Sequence, residues 1–235
     1  ILNNSILPQL AEKDVVLHFL ADFNAQRREW AHKYFMDEVL PVLTPIGLEP
    51  SHPFPRVLNK SLNFIATLEG EDSYGRSSKL AVLQAPRILS RLTPVPKEVS
   101  GHSFGFMILG SILNNGVGEL FPGMTVTGIY QFRVTRNSDL FVDEEEVTDL
   151  REALRGELSQ RQFGDAVRLE VSDNMPEEVV HRLLSEHRLT EQDCYRVKGP
   201  VNLVRLMSLP DLIDLPGLKF PAYTPVYPAN FSAQQ

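Results

Sequence analysis

The stretch TVTGIYQFRVTRNSDLFVDEEEVTDLREALRGELSQR, Thr125 to Arg161, decides the fold. Val126, Gly128, Tyr130, Phe132 and Val134 fall on one face of an extended segment and Thr127, Gln131, Arg133 and Thr135 on the other, which is the period of a strand. A helix is expected almost at once. Asp143 suits its cap with Glu146 three residues on, the acidic first turn matches the positive end of the helix dipole, and Val147, Leu150, Leu154 and Leu158 form an apolar stripe. Glu157 and Arg161 add an i, i+4 pair. Val167, Leu169 and Val171 then alternate with Arg168 and Glu170 as a further strand. Pro176 takes a first-turn position ahead of Val179, Val180, Leu183 and Leu184. Strands and helices interleave, which predicts one α/β or α+β domain over residues 48–215, several strands with helices packed on them.

Working upstream, Leu62, Phe64, Ala66 and Leu68 alternate with Asn63, Ile65 and Thr67 as a half-buried strand, and Leu80 to Leu83 repeat the signal. Glu69 to Ser78, rich in Gly, Asp, Ser and Glu, reads as the loop between them. A helix is expected over Met107 to Leu120. Pro41, Pro45, Pro50, Pro53 and Pro55 exclude a continuous helix or central strand and mark a boundary. Before it, Gln26 to Leu40 reads as an amphipathic helix of a mostly helical unit. Trp30 and Tyr34, and Phe35 and Val39, are four apart, while Arg27, Arg28, Lys33 and Asp37 take the wet side. From Pro216 onward, prolines at 225 and 228 make a connector-like tail. The opening at Ile1 without a methionine and this ending give the chain the look of an excised piece.

At 235 residues, 43% hydrophobic and 23% charged, the chain is ordinary for a globular protein, and a disordered or collagenous chain is excluded. No apolar run approaches the roughly 18 residues of a membrane span and no basic-then-apolar leader opens the sequence, so a cytoplasmic location is expected. One cysteine, Cys194, supplies neither an internal disulfide nor a thiolate zinc site, and a small buried hydrophobe is its expected role. A formal charge of -7 argues against coating nucleic acid, so a polyanion would need a local basic face.

Chemistry is mostly absent at motif level. There is no G-x-x-x-x-G-K-[ST] phosphate loop and no G-x-S-x-G elbow. Gly116-Val117-Gly118 starts like a dinucleotide fingerprint, but Phe121 stands at the third glycine position, so a helix end is the better reading. His18, His32, His52, His102, His181 and His187 lack the pairing of a zinc hydrolase, and His181 and His187 read as surface residues. The run Asp143 to Glu146 reads as helix capping rather than a metal cluster. No residue stands out as catalytic, cofactor-binding or metal-ligating. Arg133, Arg136 and Arg168, with Arg161 in a turn, are polyanion-facing candidates if their strands are neighbours. Ion pairing with Asp139, Asp143 or Glu170 is the weightier alternative.

Several phrases together resemble a known family: YFMDEVLPVLTPI at Tyr34 to Ile46, HPFP at His52 to Pro55, LNKSLN at Leu58 to Asn63, FRVTRNSDL at Phe132 to Leu140, RQFGDAVRLEV at Arg161 to Val171, and Asn174-Met175-Pro176. Collinear from Gln26 to Pro221, they are similar to the amino-terminal part of polyphosphate kinases, which polymerise phosphate from ATP. The resemblance implies a four-part enzyme in which residues 1–47 end a helical N-terminal domain, 48–215 form the head, or middle, domain, and 216–235 lead into two catalytic domains. It implies reversible transfer of the terminal phosphoryl group of ATP to polyphosphate through a phosphohistidine, with magnesium. The phosphohistidine, magnesium and nucleotide motifs belong to the catalytic half, so no histidine here is assigned that role and no cofactor is expected in this portion.

The implied partners are the protein's own catalytic domains and further copies of itself, with polyphosphate and ATP bound by the full-length enzyme. Two functions compete. One is a non-catalytic head portion that serves assembly and supports a basic active-site tunnel. The other is a stand-alone polyanion-binding module resting on Arg133, Arg136 and Arg168. A complete small enzyme of unknown type is the weakest reading, because no catalytic constellation is present.

Overall fold

The computed structural model describes residues 1–48, 53–71, 79–137, 164–221 and 223–224. The helix expected over Asp143 to Leu158, the acidic run, Arg161, His52, most of the loop before Lys79 and the prolines at 225 and 228 lie outside the described residues.

After a π-helical turn, Leu2–Ile6, come α1 (Leu7–Ala11), β1 (Val15–His18) and α2 (Ala25–Tyr34). Asn24 caps α2 by accepting from the Arg27 N–H. The helix continues as a π turn, Phe35–Val39, and a 3-10 turn, Leu40–Val42, where Pro41 cannot donate to a longer helix. The amphipathic reading holds, with Trp30 stacked on Tyr34 at 5.5 Å and Ala31, Phe35 and Val39 buried. Arg27 departs from it: rather than facing water, it donates to the Asp22, Val99 and Ser100 carbonyls.

The rest of the chain builds two sheets. β2 (Pro45–Gly47), β3 (Asn63–Gly70), β4 (Leu80–Gln84), β5 (Leu92–Val95), α3 (Lys97–Ser100), β6 (Phe104–Ile108), α4 (Leu109–Gly116), β7 (Met124–Arg136), β8 (Ala166–Ser172), α5 (Glu177–His187) and β9 (Cys194–Val197) follow in order. The larger sheet runs β2-β4-β3-β7-β8-β9, antiparallel except for β8 with β9; the smaller runs β1-β6-β5, with β1 and β6 parallel. This is the mixed α+β arrangement that the interleaved pattern predicts. Residues 1–47, expected to be mostly helical, also supply β1 and β2, and their Phe35, Val39 and Leu43 pack with Phe64, Leu83 and Leu113 across position 47.

The central strand β3 is buried on both faces, not one. Phe64, Ala66 and Leu68 join a core under α2 and α4, while Ile65 joins a second core under α5 with Phe132, Leu169 and Leu183. Helices on both faces turn a half-buried alternation into a continuous apolar run. A third cluster of Val15, Leu17, Leu92, Phe106 and Ile213 lies on the small sheet. The expected helix over Met107 to Leu120 is also shorter. Phe104–Ile108 is a strand, α4 starts at Leu109, and a 3-10 turn, Val117–Leu120, closes it. Gly116 and Gly118 sit at that helix end, as read from the sequence.

Two bulges re-aim side chains. A register shift opposite Thr67/Leu68 puts Val126 and Ile129 with the α4 core and Tyr130, Phe132 and Val134 with the α5 core. A second shift, where Thr135 pairs Arg168 but Arg136 pairs Ala166, extrudes Val167 to 50% exposure although its alternation marks it as buried. Among the described residues, no helix is long and apolar enough to cross a membrane.

Candidate functional site

The strands carrying the three candidate arginines are neighbours, but the arginines do not share one face. Arg133 stands opposite Glu170 in the β7–β8 register and binds its carboxylate at 3.1 Å; Arg168, two residues along on the same face, binds it at 3.2 Å. Arg168 also lies over the Tyr195 ring at 4.1 Å. Arg136, three residues beyond Arg133 on β7, falls on the opposite face by strand alternation. There its Nε and Nη1 donate to the Val57 and Gly164 carbonyls, at 3.2 and 3.0 Å. Two of the three are therefore engaged by Glu170, the ion pairing weighed against phosphate binding, and the third is tied to backbone.

His187, expected at the surface, is buried at the end of α5. Its ring meets Phe54 edge-on at 5.3 Å and its Nε2 is buried without a partner. Burial, then the Arg136 charge, push its pKa down to about 4. The sequence misses this because α5 turns through 100° per residue and brings position 187 round to the stripe of Val180, Leu183 and Leu184. His18 is buried as well, 2.9 Å from the Ser100 hydroxyl, and burial lowers its pKa to about 4. His102 binds Asp14 at 2.8 Å, and bonds from Ser103 and His102 hold the Asp14 carboxyl down at about 2. His181 is exposed as expected, and His32 faces Glu119 at 3.9 Å. The Cys194 thiol is raised by burial, which makes it a poor nucleophile. Among the described residues, no three His, Cys, Asp or Glu side chains converge as a metal ligand set.

The most pointed feature is one that the sequence does not reveal. A concavity of about 240 Å³ lies between the loop at 58–62, the connection from β4 to β5, and the 3-10 run Leu203–Leu212. Lys60, Arg87, Arg91 and Arg205 line it, with no aspartate or glutamate among its lining residues. The Arg91 Nη1 is buried with no hydrogen-bond partner, and burial with the nearby Arg205 charge draws its pKa down to about 10. Lys60 and Asn202 both adopt left-handed backbone, φ 57° and 68°, and the Asn202 side chain donates to the Lys60 carbonyl at 3.4 Å. The four cations come from positions 60, 87, 91 and 205, so no window along the chain shows them as a cluster.

The chain matches the family model described as polyphosphate kinase middle domain over residues 26–209. It is 54% identical over 228 residues to the polyphosphate kinase of Burkholderia lata, covering 97% of this chain and 33% of that protein. Against the polyphosphate kinase of Paraburkholderia phytofirmans it is 55% identical over 219 residues, covering 93% of this chain and 32% of the relative. The crystal structure of polyphosphate kinase from Porphyromonas gingivalis superposes with a TM-score of 0.70 at 21% identity, over 95% of this chain and 31% of that one, a likeness of fold. The chain thus spans about a third of the length of the curated relatives it matches.

Proposed function

Since the chain belongs to the polyphosphate kinase family through its middle domain, we propose that it is a non-catalytic head portion of a longer polyphosphate kinase, serving assembly and support of the active-site tunnel. The observation that carries this reading is the match over residues 26–209 to the middle domain of relatives three times as long. In the longer protein, the terminal phosphoryl group of ATP passes to a histidine nitrogen with release of ADP, and from there to the terminal oxygen of a polyphosphate chain. Magnesium, when bound, neutralises charge on the transferring group; none of the residues described above is assigned to hold it. The buried His18 and His187 are poor nucleophile candidates, since neither ring is open to an incoming phosphate.

The test is incubation of the purified chain with magnesium and γ-labelled ATP, followed by analysis of acid-labile protein label and of polymer on a gel. The expected outcome is neither. Label on this chain would place a nucleophile among its six histidines and end the division of labour proposed here. The alternative reading, a polyanion-binding module, loses Arg133 and Arg168 to Glu170. It is favoured instead by the four-cation concavity.

A further inference from the structure

We propose that the end of α3 and the loop after it, residues 100–104, form a pH-operated clasp on the N-terminal segment, closed by a neutral His18 and opened locally when that ring takes a proton. The clasp does not depend on the kinase reading, since every residue in it lies within the described chain.

Ser100 is gripped from two sides. From β1, the His18 Nε2 lies 2.9 Å from its hydroxyl; from α2, the Arg27 Nη2 donates to its carbonyl at 2.6 Å and the Arg27 Nε to the Val99 carbonyl at 3.3 Å. His18 and Ser100 are both buried, at 2% and 0% exposure. The serine fits because position 105 is glycine, where a Cβ would overlap its hydroxyl. Beyond it, the His102 ring lies 5.9 Å from the His18 ring, centre to centre. The His102 Nδ1 is 2.8 Å from the Asp14 carboxylate, which also accepts from the Ser103 N–H at 2.8 Å. The Phe104 N–H donates to the Asp14 carbonyl at 3.2 Å.

A proton on His18 strikes this arrangement at its centre. It would place two cations, His18 and Arg27, on one buried serine, with His102 across the way as a third whenever that ring is charged. The Ser100 hydroxyl carries no charge to offset them. Asp22, in the 3-10 turn Leu20–Asp22, is the acidic group that favours the proton. α4 carries no titratable residue, and Lys97 and Glu98 on α3 are exposed. The balance goes against the charge: burial first, then Arg27 and His102, draw the His18 pKa down to about 4. In the open loop the ring meets water and titrates near its ordinary 6.5, so acid favours the open form between those values. The loop has little of its own to keep it shut. α3 is four residues long without a side-chain cap, and Gly101 follows it in left-handed backbone, φ 77°.

The experiment is amide hydrogen exchange of the chain by NMR at pH 7.5 and 5.5, corrected for the intrinsic pH dependence of exchange, with the histidine rings followed in the same samples. The Ser103 and Phe104 amides, which donate to Asp14 across the clasp, report its opening. Their protection is expected to fall about tenfold from pH 7.5 to 5.5, because opening takes up one proton. Dilute urea should leave that protection unchanged, since a small opening exposes little surface. In His18→Leu, which has no proton to take up, protection of the two amides should be flat over the same range. Should His18→Leu fail to fold, the wild-type ring decides, because His18 must stay neutral at pH 5.5 while the clasp is closed. Protection that does not change with pH overturns the proposal, as does a fall that His18→Leu retains. So does a fall that urea steepens as it does for the amides of β3, or a His18 ring charged at pH 5.5 in the protected chain.

Discussion

His187 packs against Phe54 and lines a concavity with Arg56, Arg136, Asp165, Glu186 and Arg188, and it is held neutral chiefly by burial. Its pKa is about 4 folded and near 6.5 unfolded, so between those values the unfolded chain binds a proton that the folded chain refuses. Stability from this group is full above pH 6.5 and falls as the pH drops toward 4. His18 acts in the same window, whereas Asp14, held near 2, loses its contribution only below about 3.8. His187→Phe keeps an aromatic against Phe54, and urea midpoints at pH 7.5, 5.5 and 4.5 should fall less steeply in the variant; parallel pH profiles would show that the group does not titrate as argued. At Glu170, 14% exposed between Arg133 at 18% and Arg168 at 45%, the burden is unequal. Arg133→Met should cost about 1–3 kcal/mol in urea unfolding and Arg168→Met under about 1 kcal/mol, and equal costs would contradict the geometry. Sequence could offer these residues but not their surroundings. It supplied Glu170 as a partner, but the grouping of Arg133, Arg136 and Arg168 overlooked that β7 alternation puts Arg136 on the face opposite Arg133, and the bulge that extrudes Val167 from β8 was not legible.

Elements tell a similar story, with closer tolerances. α4 crosses the π turn after α2 so closely that a Cβ at Gly116 would fall within the Phe35 ring. Phe35 is fully buried and has no room to retreat. Gly116→Ala should therefore destabilise by about 1–3 kcal/mol through overpacking, despite alanine's better helix propensity. Gly118→Ala, with nothing within 4 Å, should stay within about 0.5 kcal/mol. Equal midpoints for the two in urea would mean that the helices can slide apart at little cost. The glycine pair was legible as a helix end, because glycine commonly marks one, but the ring against it was not, since Phe35 is 81 residues away. Alternation likewise revealed β3, β4, β7 and β8, whereas β1, β6 and the bulges, which depend on what packs against them, stayed hidden.

At the scale of the molecule, the open matter is whether the proline-marked position near 47 divides two folding units. The packing argues for one. Ala31, Phe35, Val39 and Leu43 complete the core above β3, β1 pairs with β6 in the smaller sheet, and β2 pairs with β4 in the larger. Prolines at 41, 45, 53 and 55 break helices and so look like a linker in sequence, but a linker is defined by how few contacts cross it, and that is a property of the folded chain. Trp30, the only tryptophan, lies before the proposed division and reports on that segment alone, while far-ultraviolet circular dichroism reports on the whole chain. If the core is shared, urea curves from tryptophan fluorescence and from circular dichroism should coincide in a single transition. Residues 48–215 expressed alone should then lack a cooperative transition, because losing residues 1–47 uncovers Phe64, Leu83 and Leu113 together with an edge of each sheet. An earlier fluorescence transition, with a cooperative remainder, would restore the boundary that the prolines suggest and make residues 1–47 a unit docked on the head rather than part of its core.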